Sequence, residues 1–301
     1  MKNYIKKYGY KKFFKITKNK VLISIAIFFL KIKNIFAVIF YKNTVLIQAS
    51  VNPISKNWGD DVSTVIVKKL APAKHIIVAK YTWNFRNLTE YLCIGSIITW
   101  MTKENSVIWG AGVVYPDQPL KYKPKKVLAV RGPLTRRYLI RQGVECPEIY
   151  GDPALLFPHF IIPPRNKKYK LGIIPHFRDK ENPLLNKYKQ RNDIRIIDVE
   201  SKKWNSFIEQ ICECEIVISS SLHGLIISDA YAIPNYWIEF EGGEKKRFAF
   251  YDYLLSVKRN RCRPIIINKD FSIEDWIKQK ETYQLPVIDI TDLYAVCPFI
   301  N

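Results

Sequence analysis

Short apolar segments alternate with helical ones along most of this chain. That alternation predicts an α/β protein built as two Rossmann-like domains facing a cleft, with a basic N-terminal extension. Three observations carry it. Apolar runs of four to six residues recur between helix-period segments, as in parallel sheets covered on both faces. Several runs end in glycine, proline or serine turns that lead into a helix. Pro163-Pro164-Arg165-Asn166-Lys167-Lys168 then separates two such sets. The expected division is an extension over 1–42, a first domain over 43–165 and a second over 166–301.

Thr44–Ala49 reads as the first buried strand. Asn57-Trp58-Gly59-Asp60-Asp61 is a turn, with Asp61 placed to cap a helix from Val62 to Leu70. His75–Ala79 is a second strand, and Ser106–Trp109 runs into Gly110-Ala111-Gly112. Val127–Val130 leads into Arg131-Gly132-Pro133, where proline suits the first helical position and Gly143 a C-terminal stop. In the second set Leu171–Ile174 ends at Pro175-His176, and Ile194–Val199 follows. Trp204, Phe207, Ile208 and Ile211 recur at helical spacing. Glu215–Ile218 enters Ser219-Ser220-Ser221-Leu222-His223-Gly224, and a helix runs on toward Pro234. Tyr236–Ile238 is a strand; Arg247–Val257 and Glu274–Thr282 read as helices.

The serine-rich turn is the most informative stretch. A helix N-terminus presents unpaired N–H groups and partial positive charge, which suits an anion. Ser219, Ser220 and Ser221 add hydroxyl donors, and Leu222 and His223 open the helix with a titratable ring. Charge agrees with an anionic ligand. The net formal charge is +21; eleven lysines and no acid lie in residues 1–42, leaving +10 on the other 259 residues.

The extension holds two apolar runs, Val21–Leu30 and Ile35–Tyr41, with Lys31 and Lys33 between them. A bilayer span needs about 20 mostly apolar residues, and two central lysines oppose it. An interfacial helix on an anionic membrane surface fits better, with a solvated tail or an added structural helix as the alternative. No nucleic-acid-binding motif occurs. Six scattered cysteines form no zinc set and read as reduced thiols; with no clear export signal, the expected place is the cytoplasm, peripheral to the inner face of the plasma membrane.

In order, Asn57–Asp61, Val130–Thr135, Gly151–Leu156, Ile174–His176, Ser219–Pro234 and Phe250–Ser256 resemble the polysaccharide pyruvyl transferase family. The resemblance implies a fold similar to the GT-B glycosyltransferases. It implies transfer of pyruvate from phosphoenolpyruvate to a sugar of a surface glycan or its lipid-linked precursor, as a ketal. Some relatives carry Arg-Leu-His at the turn; this chain has Ser221-Leu222-His223, so another cation must meet the donor. Arg178, two residues beyond His176 at a strand end, is the first candidate. Arg131 competes from the facing domain, and Lys245, Lys246 and Arg247 follow a Gly-Gly turn.

Ketal formation protonates the methylene carbon of the donor, adds one sugar hydroxyl and lets a second displace phosphate. Neither a metal nor a cofactor is required. His223 is the expected donor contact and acid, and Asp60 or Asp61 the group accepting a proton from the sugar. Asp152 reads as a turn-fixing residue, and Trp58 and Trp83 as core rather than sugar-stacking residues. Two rival readings stand beside this one: a GT-B glycosyltransferase using a nucleotide sugar, and a non-catalytic scaffold in glycan assembly.

Overall fold

The computed structural model describes residues 21–22, 24–41, 43–51, 57–82, 88–164, 166–201, 203–259, 263–269, 272–278 and 283–300. Residues 24–40 are helical (α1). The first sheet holds β1 (Thr44–Gln48), β2 (His75–Val78), β3 (Glu90–Leu92), β4 (Ser106–Trp109) and β5 (Lys126–Ala129). Its helices are α2 (Trp58–Leu70), α3 (Ile98–Met101) and α4 (Pro133–Arg141). The second sheet holds β6 (Tyr169–Ile174), β7 (Ile194–Ile196), β8 (Cys214–Ser219), β9 (Asn235–Glu239) and β10 (Ile265–Ile266). With it come α5 (Trp204–Cys212), α6 (Leu222–Ala230), α7 (Arg247–Ser256), α8 (Ile273–Lys278) and α9 (Thr291–Ala295).

Both sheets are parallel and follow one plan. The first has the order β2-β1-β3-β4-β5 and the second β10-β9-β8-β6-β7. Counted from its own first strand, each sheet therefore reads 2-1-3-4-5. In that order the chain reverses direction beside its first strand. The crevice opens there, between β1 and β3 in one sheet and between β6 and β8 in the other.

Burial explains why the strands were legible. In β8, five of six positions are buried, as expected where helices cover both faces. One core runs between the sheets, from Ile47, Trp58 and Ala129 through Phe157 and Phe207 to Ile174, Val217 and Leu225. Trp58 ties the halves: its backbone N–H donates to the Val199 carbonyl at 2.7 Å, and Nε1 to the Trp204 carbonyl at 2.7 Å. Each large side chain so buried contributes roughly 1.5–3 kcal/mol. The joint is thus core-like rather than the polar contact at which domains move freely.

Several expectations change. Helix α2 begins at Trp58, not Val62, so Asp61 lies inside it and Asn57 takes the cap position. Asp61 sits in its first turn, where negative charge suits the helix dipole. The three-residue strand β3 and the two-residue β10 were not foreseen, being too short for a periodic signal. Beyond α4, Tyr150 makes an isolated bridge with Val130. The cut at 165/166 keeps each sheet whole, but the C-terminal segment returns to the first one. Trp109 Nε1 donates to the Leu293 carbonyl at 2.9 Å, and the Phe299 ring meets Tyr91 and Trp109.

Candidate functional site

A cavity of about 390 Å³ opens where the two crevices meet. Its size suits a small-molecule ligand. From the first half come Ser50, Asn57, Gly59, Gly95, Ser96, Trp100 and Tyr115. From the second come His176, Phe177, Arg178, Ser220–His223 and Lys246. A larger groove of about 1060 Å³ lies along Lys123–Leu128 and Gly143–Pro147. It includes the N-terminal end of β5, the end opposite to where parallel sheets bind ligands.

The serine turn divides its labour. Ser219 is fully buried: its Oγ accepts the Ser221 N–H at 3.0 Å and lies 3.1 Å from the Ile174 carbonyl. Ser220 Oγ accepts the His176 N–H at 2.9 Å and donates to Asp179 at 2.7 Å, binding the β6 loop to the β8 loop. These two hydroxyls fix the turn. Ser221 is the residue before α6 and makes no side-chain cap bond; with Leu222 and His223, the first residues of α6, it lines the cavity. Gly224 lets α6 approach β8: a Cβ there would lie 2.2 Å from Ser219 Oγ.

His223 lines the cavity with one part of its ring and buries the other. Its side chain is 14% exposed, yet Nε2 is shielded and has no hydrogen-bond partner. Nε2 stands 3.8 Å from Asp152 Oδ2, itself shielded and unpartnered. On the other side the ring abuts Gly59, where a Cβ would come within 2.2 Å of Nδ1. Only glycine at this first turn of α2 leaves room for the imidazole. Burial, with the nearby Arg131 charge, holds the His223 ring down at about 3. A bound anion acts in the opposite sense and favours the charged ring.

A cationic cluster faces His223 from the second sheet. His176, which follows β6, is contacted at Nε2 by the Lys246 ammonium, and its Nδ1 lies 3.2 Å from the Arg178 N–H. Burial first, then the Lys246 and Arg178 charges, holds His176 down at about 3, so this ring is neutral. The Arg178 guanidinium sits over the Phe177 ring at 5.5 Å, and Lys246 borders the same ring at 5.5 Å. Two positive side chains and the N-terminal turns of α2 and α6 thus converge on one space.

The remaining predicted residues lie elsewhere. Arg131 is fully buried and does not reach the cavity; it serves the joint between the halves. Its guanidinium bonds Asp252 of α7 at 3.2 Å, Ser96 Oγ at 2.6 Å and the Val113 carbonyl at 2.9 Å. Arg247 is held by both carboxylate oxygens of Glu239, and Lys245 is exposed outside the cavity. Of that trio only Lys246 borders the site. Asp61 lies near Tyr81 rather than on the cavity wall. The Asp60 side chain and Trp83 fall outside the described residues. Trp58 is core, against Phe157 and Phe207. Asp152 does fix its turn, accepting the Ala154 N–H at 3.0 Å, but its second oxygen faces His223. Sequence reasoning missed that contact, as well as Trp100, Tyr115 and Ser96; their signal was position after β3 and β4, and β3 was unseen.

Among the described residues no three His, Cys, Asp or Glu side chains gather as a metal site, and no helix is long and apolar enough to cross a membrane.

The chain is 30% identical over 244 residues to an uncharacterised protein of Acanthamoeba polyphaga mimivirus, covering 78% of this chain and 82% of that one. It is 29% identical over 136 residues to the succinoglycan biosynthesis protein ExoV of Rhizobium meliloti, covering 43% and 41%. A functionally uncharacterised Klebsiella pneumoniae protein of known structure aligns over 79% of this chain and 98% of its own with 12% identity and a TM-score of 0.40. The profile for polysaccharide pyruvyl transferases matches residues 26–241, which include both crevices and the His223 turn. The chain belongs to the polysaccharide pyruvyl transferase family.

Proposed function

We propose that this protein transfers pyruvate from phosphoenolpyruvate to a sugar of a surface polysaccharide or its lipid-linked precursor, as a ketal, in a GT-B-like arrangement of two domains. The donor lies on the second-half wall. Its phosphate and carboxylate meet Arg178, Lys246, Ser221 and the start of α6, and these cations stand in for the arginine absent at Ser221. The acceptor enters along the first-half wall, where Trp100 and Tyr115 lie 6.4 Å apart and Trp100 is 49% exposed.

His223 protonates the methylene carbon, and the adjacent carbon becomes electron-poor. One sugar hydroxyl adds there and loses its proton; the second displaces phosphate. Of the two hydroxyl protons, one replaces the proton delivered to the methyl group and the other leaves with phosphate. Proton transfer and anion binding carry every step, and this chain's own side chains supply both. The observation that carries the reading is His223 on the cavity wall beside two cationic side chains, in a chain of this family.

The test is direct. Purified protein given phosphoenolpyruvate and a lipid-linked oligosaccharide should release phosphate and add one pyruvyl mass to the acceptor. His223→Ala should slow this by roughly 10²–10⁴ while keeping the fold. Sugar transfer from a nucleotide sugar, or inertness with both donors, would reject the reading in favour of its rivals.

We also infer that the extension rests on an anionic bilayer, the inner face being the side where the donor is made. In α1, Ala37 and Val38 pack on Leu46, Ile77 and Ala79, and Asn34 donates to the Tyr81 carbonyl at 2.9 Å. Phe28, Phe29, Phe36, Ile39 and Phe40 stay exposed, on a segment with eleven lysines and no acid. Each lysine near such a surface contributes roughly 1 kcal/mol. Vesicles containing phosphatidylserine should bind the full chain and release it when residues 1–33 are deleted or salt is raised. Equal binding to neutral vesicles would remove the electrostatic part.

A further inference from the structure

One buried carboxylate has no part in the chemistry above. Asp152 follows the Val130–Tyr150 bridge and starts the turn Pro153–His159. One oxygen satisfies that turn. The other is sealed from solvent opposite an equally sealed imidazole nitrogen. Two buried polar atoms left without partners are costly, the more so when they face each other. Facing one another at 3.8 Å, they need only a small closing movement to share a proton. Nδ1 is not sealed in the same way: the Cβ that Gly59 lacks would lie 2.2 Å from it, so glycine at that position keeps this edge of the ring clear.

We propose that Asp152 and His223 act as a dyad, the carboxylate holding Nε2–H inward, leaving Nδ1 for the substrate, and balancing the imidazolium that protonates the donor. This rests on the phosphoenolpyruvate reading. In the armed state the ring carries protons on both nitrogens against the Asp152 carboxylate. The Nδ1 proton passes to the methylene carbon, whose π electrons form the new C–H bond. The ring remains Nε2–H, and its Nδ1 lone pair takes the proton released by the first sugar hydroxyl. The dyad thus returns to its starting charge within one turnover. Asp152 acts through His223 and is a positioning residue.

The surroundings fit a single stored proton. Arg131 from the end of β5, Cys93 from the end of β3 and Tyr253 from α7 act electrostatically on this pair. Burial pushes the Cys93 thiol and Tyr253 phenol well up, so both are neutral, and Arg131 is already paired with Asp252. Burial pushes the Asp152 carboxyl up to about 7, against the Ala154 bond and the Arg131 charge. The first proton bound by the pair therefore titrates near neutrality, as a property of both groups.

The chain has four histidines, so ¹⁵N-labelled full-length protein resolves the ring, with His223 assigned by its loss in His223→Gln. At pH 8 the wild-type ring should be Nε2–H. In Asp152→Asn the side-chain oxygen keeps the Ala154 bond and the amide donates to Nε2, so the ring should switch to Nδ1–H. One tautomer in both proteins overturns the dyad. Phosphate release by Asp152→Asn should fall roughly 10²–10⁴-fold with KM for phosphoenolpyruvate changed less than about twofold. An unchanged rate overturns it too. Asp152→Ser, which also retains the cap, should be slowed alike; a folded serine variant at the wild-type rate has the same force. If the wild type never turns over phosphoenolpyruvate, the donor reading fails, while the tautomer switch still decides the dyad.

Discussion

Where β6 and β8 end, the cleft wall carries His176, Arg178, Ser221, His223 and, beyond β9, Lys246; where β1 and β3 end, it carries Ser50, Gly95 and Ser96, with Trp100 and Tyr115 beyond. The strand order on both sides is the same. Topology thus fixes where each crevice opens, and loop chemistry decides what it holds. A charged wall opposite a neutral, aromatic one separates an anionic donor from an uncharged acceptor. The first half is not without cation: Arg131 stands behind Ser96, but Asp252 neutralises it. Removing one partner of such a buried pair is strongly destabilising, so the pair belongs to the joint rather than to recognition.

The contrast is sharpened most by the charged wall. Lys246→Ala should raise KM for phosphoenolpyruvate roughly 10- to 100-fold, the range for losing a charge-assisted contact. The exposed neighbour Lys245→Ala should leave it within about twofold. Acceptor KM should not follow either change. Initial-rate measurements with each substrate varied in turn decide it, and an unaltered donor KM in the Lys246 variant would move the anion elsewhere in the cleft.

Much of this was legible in the residues. The two sheets announced themselves because strands buried on both faces are apolar at nearly every position; Ile216–Ile218 and Leu171–Ile174 are examples. The serine turn could be placed at the cleft because strand, turn and helix follow directly on one another within residues 214–230. What stayed hidden depends on distance along the chain or on angle. Asp152 and His223 are separated by 71 positions, and nothing local in either segment marks the other. Lys245, Lys246 and Arg247 are consecutive, and only the short turn Glu244–Lys246 decides which one looks inward. Arg131 looked like a ligand-binding cation because its partner Asp252 lies in the other half. β3 contains Glu90, buried in a bond to Lys103 at 2.7 Å, which broke its apolar pattern.

The neutral wall gives a smaller and more selective effect. Trp100 is half exposed at the cavity rim, in the short helix that follows the β3 loop, and its ring lies at an angle to Tyr115. A flat apolar ring facing a sugar gains by covering its C–H surface, with aromatic packing adding roughly 0.5–1.5 kcal/mol. Trp100→Ala should therefore raise acceptor KM about two- to tenfold. It should leave donor KM and the thermal unfolding midpoint nearly unchanged, because half the side chain already faces water. Trp100→Phe should recover most of the loss, since the flat face remains. A matching rise in donor KM would mean that the walls are not divided by substrate, and the whole contrast between the two crevices would fall with it.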